Sequence, residues 1–297
     1  MRNGLIAAAA AAILLASPSP ASAWGYDAHR YIMSRAIDLL PPGLKPFFEH
    51  YRAEIVVRVV DPDTWRSAGW DENQNHFVDF GAAEYGPYPF TALPREYGAA
   101  VAKFGMETVK RLGTLPWRED EMFGHLRRSF ESFKTNRSYA IIDTILFSAA
   151  ASHYIGDAHV PFHATINYDG QLTGQWGLHS RFEEALFRRY QTKLTVKPGS
   201  VAAIPNARDA IFEILLASYR LVDPLLKADK DAVAGKDTYD DEYFDRFFAS
   251  ARPTLEKRLA ESISATASII VGAWQAAGSP ALRTELPDTP QRVRRSE

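Results

Sequence analysis

Five side chains of the metal-ligand type lie close together in the second half of the sequence: His153, Asp157, His163, His179 and Glu183. Within this set, His153 and Asp157 are four residues apart, and the same spacing separates His179 from Glu183. Residues with this spacing lie above one another on one face of a helix, so each pair can grip one cation without distorting the backbone. Imidazole and carboxylate ligands without a thiolate indicate a borderline metal such as Zn²⁺, in a site that stays open to substrate.

A helix predicted for residues 139–158 must position the first of these pairs. Apolar residues cover nearly all of its faces, which predicts a central and buried helix. A histidine and an aspartate near the end of such a helix cost free energy unless they pair with each other or bind a metal. A simple buried pair is the alternative, but the three ligands that follow, together with His29 and His76 upstream, favour a metal site. His159 lies six residues after His153 and faces elsewhere on the helix, so we expect it to be structural or on the surface.

The N-terminus has the features of a secretory signal peptide over residues 1–23. Arg2 gives a positive start, an Ala/Leu-rich run covers residues 5–15, and Ala21-Ser22-Ala23 is a cleavage motif. The apolar run is too short to span a bilayer. We therefore expect cleavage and export, to the periplasm or the medium.

Cleavage after Ala23 would make Trp24 the first residue of the mature protein. A free α-amino group and the carbonyl oxygen of the same residue can chelate a metal, and His29 follows five residues later. Trp24 and His29 are therefore a further candidate pair of ligands. The alternative is that Trp24 only follows a cleavage site and that His29 is a surface histidine.

The composition of the chain excludes several classes of protein. The formal net charge is −2, so the sequence predicts neither a basic nucleic-acid-binding arm nor a polybasic membrane patch. The 297 residues include no cysteine, which excludes disulfides and thiolate metal sites. The chain also lacks the G-x-S-x-G elbow of serine hydrolases and the Walker A loop of nucleotide-binding proteins.

The periodicity of apolar residues predicts an all-α protein with a single multi-helix domain over residues 24–277. The predicted helices span residues 28–40, 45–60, 97–112, 119–135, 139–158, 179–190, 207–226, 240–250 and 253–277. A long ordered loop at 67–94 is rich in glycine, proline and aromatic residues, and such loops are often functional. We expect the polar tail at 278–297 to be disordered.

The ligand positions resemble those of the zinc-dependent phospholipase C / S1–P1 nuclease superfamily, whose members are all-helical enzymes with three zinc ions. The matching motifs are Trp24…His29, His76, His153-x3-Asp157-x5-His163 and His179-x3-Glu183. Segments 29–38, 153–164 and 177–183 are similar to bacterial phospholipase C, whereas the opening Trp24-Gly25-x3-His29 is closer to the nuclease branch. The resemblance covers nearly the whole mature chain, and the ligand positions recur in order.

The resemblance implies three zinc sites in each chain. The first site would use an early aspartate, Asp63 or Asp61, with His76, His153 and Asp157. The second site would use His163, His179 and Glu183. The third site would use Trp24, His29 and a shared Asp157. Between the two early aspartates we prefer Asp63, because Pro-Asp precedes the loop as in part of the family.

The resemblance also implies a secreted hydrolase in which zinc ions activate water for attack on a phosphodiester. Asp63 is the candidate for orienting or deprotonating that water while it also binds metal. Glu183 agrees with the phospholipase branch, since aspartate is usual in the nuclease branch, so bacterial phospholipase C is the leading expectation. The alternatives are a single-strand nuclease of the S1–P1 type and an exported zinc-binding protein without turnover.

Substrate selectivity is expected to depend on aromatic residues outside the metal ligands. Phe77 directly follows a ligand histidine, and Tyr85, Tyr88 and Phe90 lie in the loop after it. Such rings can stack on a nucleobase or surround a choline ammonium group, or they can simply anchor the loop on the core. The expected substrates are a phospholipid head group or single-stranded nucleic acid. We expect no integral membrane span and a monomer.

Overall fold

The computed structural model describes residues 25–285. About 67% of the chain is helical and the described residues contain no strand or sheet, which confirms the all-α prediction. Within the described range no helix is both long and apolar enough to cross a membrane. The expectations for the signal peptide at 1–23, for Trp24 and for the last part of the tail at 286–297 lie outside the described residues.

The helices follow one another along the chain with short connections. Their bounds are α1 (Gly25–Asp38), α2 (Lys45–His50), α3 (Arg52–Arg58), α4 (Asp61–Ser67), α5 (Tyr97–Phe104), α6 (Met106–Arg111), α7 (Leu115–Ser132), α8 (Ala140–Ala158), α9 (Leu178–Ser180), α10 (Leu186–Tyr190), α11 (Ala207–Tyr219), α12 (Val222–Val233) and α13 (Asp241–Ala276). Between α9 and α10, a π-helical segment at Arg181–Ala185 makes one continuous helical run.

The α8 helix is the centre of the molecule and packs against α1, α3, α7, α11 and α13. Small side chains at Ala149, Ala150 and Ala151 let these neighbours approach closely, and all three are buried. Towards the other end of the helix, the Thr144 hydroxyl donates a 3.0 Å hydrogen bond to Ser129 on α7. The carboxyl end of α8, where the first ligand pair lies, is therefore enclosed by other helices.

Several of the predicted helix boundaries are wrong, including that of the helix predicted for 207–226, which is divided into α11 and α12. The helix predicted for 45–60 is divided at Tyr51 into α2 and α3, and the one predicted for 97–112 is divided at Gly105 into α5 and α6. Gly105 has φ of 81°, a left-handed conformation that ends a helix and that glycine adopts at little cost. Asp61-Pro62-Asp63, expected to follow the end of a helix, instead forms the first turn of α4, where proline and acidic side chains are favoured.

The predicted break before Pro253 is also wrong, because α13 runs without interruption from Asp241 to Ala276. Asp240 caps this helix by accepting a 2.8 Å hydrogen bond from the Tyr243 backbone N–H. Buried residues on both sides of Pro253, including Phe247 and Leu259, pack into the same core. Their burial offsets the cost of the missing backbone donor at the proline.

Part of the expected disordered tail is in fact packed against the helices. The Trp274 indole N–H donates to the Pro280 carbonyl at 2.9 Å, and the Tyr51 hydroxyl donates to the Thr284 carbonyl at 2.5 Å. Arg283 donates to the Asn136 side chain, and Leu282 packs against the core. The polar composition did not predict this packing, because two of the contacts are made by backbone carbonyls, which every residue has.

Candidate metal centre

Eight predicted ligand side chains come together in three buried groups. In each group the ligand atoms lie within 4.8 Å of one another. The groups are His29, His153 and Asp157; Asp63, His76 and His153; and His163, His179 and Glu183. Because His153 belongs to two of them and Asp157 is four residues away on the same helix, two of the groups are neighbours.

The ligands come from six segments that converge at the carboxyl end of α8. His29 lies on α1 and Asp63 on α4, whereas His76 and His163 lie in the 3₁₀ turns Asn73–His76 and Pro161–Ala164. The other ligands lie on α8, which carries His153 and Asp157, and on the run from 178 to 190, which carries His179 and Glu183.

Asp157 lies between two of the groups. Its Oδ1 is 3.3 Å from His29 Nε2, whereas its Oδ2 is 2.9 Å from His76 Nδ1 and 3.4 Å from His153 Nε2. Each carboxylate oxygen therefore faces a different set of ring nitrogens. This is the arrangement that a carboxylate needs in order to bridge two cations.

The geometry separates the two early aspartates. Asp63 is 2% exposed, and its Oδ1 lies 3.9 Å from His76 Nδ1 and 4.0 Å from His153 Nε2. Asp61 is partly exposed and pairs with Arg58 at 3.4 Å. Only Asp63 is positioned as a ligand, which agrees with the preference for it in the sequence.

The third group lies where the helix after α9 widens into its π-helical segment. His179 Nε2 is 3.0 Å from Glu183 Oε2, and His163 Nε2 is 3.8 Å from the same oxygen. Wide turns of this kind are frequent at functional sites. Asp169 holds the start of this run, since its carboxylate accepts hydrogen bonds from the Gly177 and His179 backbone N–H groups. The sequence analysis missed Asp169, whose role depends on a loop conformation.

Two histidines have their ring orientation fixed by backbone carbonyls. His153 Nδ1 is 2.9 Å from the Val59 carbonyl, and His163 Nδ1 is 2.5 Å from the His76 carbonyl. A carbonyl oxygen can only accept, so both Nδ1 atoms carry the proton. Each Nε2 is then unprotonated and points into the site, as outer hydrogen bonds commonly arrange for metal ligands, and His153 Nε2 lies 3.1 Å from His76 Nδ1.

Burial shifts the pKa values of the candidate ligands. Burial lowers the pKa of His29, His76 and His163 below the ordinary 6.5, and it lowers the pKa of His153 to about 3, so these rings are neutral ligands. Burial also raises the pKa of Asp157 well above its usual value. A bound cation would reverse that shift, because its charge favours the carboxylate form.

Glu183 behaves differently from Asp157. Burial alone would raise the pKa of this carboxyl, but His179 and His163 outweigh burial and lower the pKa to about 2. The ionised carboxylate is therefore buried and lies against these two imidazoles. This is a suitable donor set for a divalent cation of the Zn²⁺ type.

Several buried ring nitrogens have no hydrogen-bond partner among the described residues. They are both nitrogens of His29 and the Nε2 atom of His76. A buried polar atom without a partner costs about 1–3 kcal/mol. Because His29 Nε2 faces the Asp157 carboxylate at 3.3 Å, a metal fits the residues present there and would remove part of this cost.

A cavity of about 410 Å³ opens beside the ligands. Its lining includes three of the ligand histidines, His76, His163 and His179, so the centre is accessible to a substrate. Phe77 also lines the cavity, as a role in substrate binding requires, although that role stays a prediction. Among the described residues, the lining also contains polar, charged and aromatic groups that the sequence analysis missed, namely Arg66, Asn73, Asp79, Arg111 and Tyr168.

Two of the missed residues have a local signal in the sequence. Arg66 lies three residues after Asp63 on α4, and its guanidinium is 3.8 Å from the Asp63 carboxylate. Asp79 lies three residues after His76, and burial raises its pKa to about 7. Arg111, at the end of α6, is far in sequence from every ligand, and Tyr168, although five residues after His163, lies in a turn, so no spacing rule could have identified them.

The aromatic loop at 85–90 lies away from this cavity. Tyr85 and Phe90 are buried, and the Phe90 ring stacks on Phe80 at 4.5 Å between centroids. Tyr88 is half exposed and lines a separate groove. These rings are anchors of the loop, and of the sequence candidates only Phe77 reaches the cavity at the metal ligands.

His159 is structural, as predicted. It is buried, its Nδ1 donates to the Ile155 carbonyl at 2.7 Å, and its own carbonyl accepts from Arg258 at 2.9 Å. It belongs to none of the three ligand groups in the described part of the chain.

No protein-family model matches the sequence, and no curated protein is significantly similar to it. The function must therefore be argued from the chemistry of the site.

Proposed function

We propose that this protein is a metal-dependent hydrolase of phosphoric esters that acts on a phosphodiester and holds three Zn²⁺ ions in each chain. The observation that carries the proposal is the convergence of eight ligand side chains beside a cavity that also contains two guanidinium groups. Nitrogen and oxygen ligands without sulfur suit Zn²⁺, and three of the ligand histidines are exposed to the cavity.

The cavity suits an anionic substrate. Arg66 and Arg111 both line it, and guanidinium groups bind phosphate oxygens in a bidentate manner. Arg111 is anchored by Glu84 at 2.7 Å, whereas Arg66 lies within 3.8 Å of Asp63. Arg66 is therefore close to a ligand, Arg111 lines the same cavity, and both guanidinium groups can bind the phosphate group of the substrate.

The metals, when bound, would lower the pKa of a water molecule and neutralise charge on the phosphate. Asp63 is the buried carboxylate that can orient the attacking water and accept its proton. Arg66 stabilises the additional negative charge on phosphorus oxygens, and its proximity to Asp63 favours the carboxylate form. The His153 and His163 rings keep fixed positions because carbonyls hold their Nδ1–H groups.

A phospholipid head group is the substrate class that we propose first. The cavity offers cationic groups for a phosphate and, beside them, the rings of Phe77 and Tyr168 with the Asp79 carboxyl. Aromatic faces attract a quaternary ammonium, and such a cation would favour the ionised form of Asp79, so the lining complements both charges of a zwitterionic head group.

A single-strand nuclease is the second candidate. The same two rings can stack on a base, and the same arginines can bind a nucleic-acid phosphate. The formal net charge of −2 argues against it, since tight binding of a polynucleotide usually depends on several Lys and Arg contacts. A zinc-binding protein without turnover is less well supported, because storage requires neither an adjoining cavity nor arginines beside the ligands.

One experiment tests the proposal directly. The purified mature protein is assayed in parallel on phosphatidylcholine, single-stranded DNA and RNA, with and without a chelator. We expect hydrolysis of phosphatidylcholine that is lost with the chelator and restored by Zn²⁺. Robust cleavage of nucleic acid without lipid turnover would reject the phospholipase proposal in favour of the nuclease. A protein that binds zinc but hydrolyses none of the three would contradict catalysis.

A further inference from the structure

His76 is oriented opposite to the other two histidines whose ring hydrogen bonds are described above. His153 and His163 direct Nε2 into the site, whereas His76 directs Nδ1 towards Asp157 Oδ2 at 2.9 Å. Its Nε2 therefore points away from the ligands. That nitrogen is buried and has no hydrogen-bond partner among the described residues.

A carboxylate lies behind this unpaired nitrogen. Glu72 is 3% exposed, and its Oε1 is 4.0 Å from His76 Nε2. Glu72 is itself held firmly, because the Tyr154 hydroxyl donates to its Oε1 and Arg118 donates to its Oε2 at 3.0 Å. Arg118 also donates to the Tyr154 hydroxyl at 3.1 Å, which closes the network.

Metal binding at His76 Nδ1 would require the ring proton to be on Nε2. A buried N–H needs an acceptor, and Glu72 Oε1 reaches hydrogen-bond range if the separation shortens by about 1 Å. A carboxylate acceptor makes an imidazole a stronger ligand than a carbonyl acceptor does, and it fixes the plane of the ring. His153 and His163 have carbonyl partners, so this carboxylate would distinguish His76 from them.

We propose that Glu72 is the positioning residue of His76: it accepts the Nε2–H when the ring binds metal, and Tyr154 and Arg118 hold it in place for that purpose. This inference rests on the metal site of the proposed function. It assigns a role to the ion pair of Glu72 and Arg118, neither of which lines the cavity at the metal ligands. The competing explanation is that Glu72 and Arg118 only attach the 3₁₀ turn at 73–76 to α7.

The test compares two variants that each remove one acidic partner of Arg118. Glu72→Gln keeps the shape of the side chain but loses its charge beside His76. Glu121→Gln is the matched control, because Glu121 pairs with Arg118 at 2.8 Å but is 51% exposed and does not contact His76. Zn²⁺ dissociation constants of the metal-stripped proteins are measured by competition with a chelator. We expect about a 10- to 100-fold weakening at one site for Glu72→Gln, the range for outer partners of metal ligands, and wild-type affinity for Glu121→Gln.

Two further measurements separate positioning from a purely structural role. In the zinc-loaded protein the His76 Nε2–H proton should give a downfield resonance that moves upfield in Glu72→Gln. Thermal unfolding of the metal-free forms should differ little between Glu72→Gln and Glu121→Gln. Tyr154→Phe, which removes one donor to Glu72, should weaken Zn²⁺ in the same direction but less.

The outcomes are distinguishable. If the wild-type protein binds Zn²⁺ and Glu72→Gln binds it equally well with an unchanged His76 resonance, the role of Glu72 is wrong and the metal site stands. If Glu72→Gln only lowers the melting temperature of the metal-free protein, the structural explanation replaces ours. If the wild-type protein binds no metal, the proposed function fails together with this inference.

Discussion

The Oδ1 atom of Asp157 lies 3.3 Å from the Nε2 atom of His29, and neither side chain is exposed. This contact joins the first described helix of the chain to the end of the central helix. The His29 ring also stacks on His153 with 4.2 Å between centroids. Residues more than a hundred positions apart thus form one side of the candidate metal centre, and the centre is a long-range tie between α1 and α8.

The first prediction concerns metal content. Elemental analysis of the mature protein should approach three zinc ions per chain, one for each ligand group. His153→Ala removes a ligand that two groups share, so it should lower the content by more than one ion. It should also lower the melting temperature of the zinc-loaded protein, since metal binding stabilises only the folded state. A wild-type protein purified without chelators and free of metal would contradict this prediction.

The second prediction concerns the N-terminus. Trp24 can chelate metal through its amine only if the chain is cleaved directly before it. Gly25, at the start of α1, lies against Glu184, since a Cβ added to Gly25 would be 2.9 Å from Glu184 Cγ. The beginning of α1 is therefore close to Glu183 and its group of candidate ligands. A protein with one additional residue before Trp24 should lose about one metal ion and most activity while its circular dichroism stays unchanged. Equal zinc content with and without the extra residue would show that Trp24 is not a ligand.

The third prediction separates the two early aspartates. Asp63→Asn keeps the shape of a buried side chain but removes its charge beside His76, His153 and Arg66. We expect turnover to fall by roughly 10²-fold or more, as for the loss of a general base. Asp61→Asn is the matched control, and its partly exposed pair with Arg58 should be worth little. The opposite ranking in steady-state turnover would transfer the role to Asp61.

The fourth prediction concerns pH and uses a histidine outside the metal ligands. Burial, assisted by the Arg258 guanidinium, lowers the pKa of His159 well below 6.5. At a pH between the pKa values of His159 in the folded and unfolded states, the unfolded chain binds a proton that the folded chain does not bind. The contribution of His159 to stability is therefore present above pH 6.5 and is lost as the pH falls below it.

His159→Gln should remove this dependence. Lowering the pH from 7.5 to 5 should reduce the free energy of unfolding of both metal-free proteins. The reduction should be smaller in the variant than in the wild type, by up to about 2 kcal/mol. Urea unfolding in the presence of a chelator gives the comparison. His125→Gln, on α7, controls for the replacement of a histidine by glutamine as such. Identical slopes for His159→Gln and the wild type would contradict the argument.

Two of the candidate ligand pairs were predictable as neighbours because their geometry is local. His153 with Asp157, and His179 with Glu183, are four residues apart, and the helical period alone places each pair on one face. Burial of α8 was also predictable from its apolar residues. The same rule placed His159 correctly, outside the centre.

The remaining features depend on contacts that no local pattern contains. The carbonyls of Val59 and His76 fix two ligand rings, although 94 and 87 residues separate the partners. Arg111 reaches the cavity from the end of α6, and nothing in its neighbourhood marks it. A break was predicted before Pro253, where a new helix was expected to begin, yet tertiary packing of α13 outweighs the local cost of a proline inside the helix.

The last prediction concerns the substrate and depends on Phe77. The half-buried ring of Phe77 lines the cavity beside His76. The backbone of Phe77 lies close to Gly113, where φ is +94° and an added Cβ would be 2.1 Å from the Phe77 carbonyl oxygen. A ring that grips a head group binds the ground state and the transition state alike, so Phe77→Ala should raise KM more than it lowers kcat.

Phe77→Tyr, which keeps the aromatic face, is the matched control. Its KM for phosphatidylcholine or a small choline phosphodiester should stay close to the wild-type value. Hydrolysis of a phosphodiester analogue whose head group lacks the ammonium group should be affected much less by Phe77→Ala, because the cation–π contribution of about 0.5–2 kcal/mol is then absent from both proteins. If Phe77→Ala instead impairs single-stranded DNA cleavage and leaves the choline substrate unchanged, the ring stacks on a base and the nuclease candidate replaces the phospholipase.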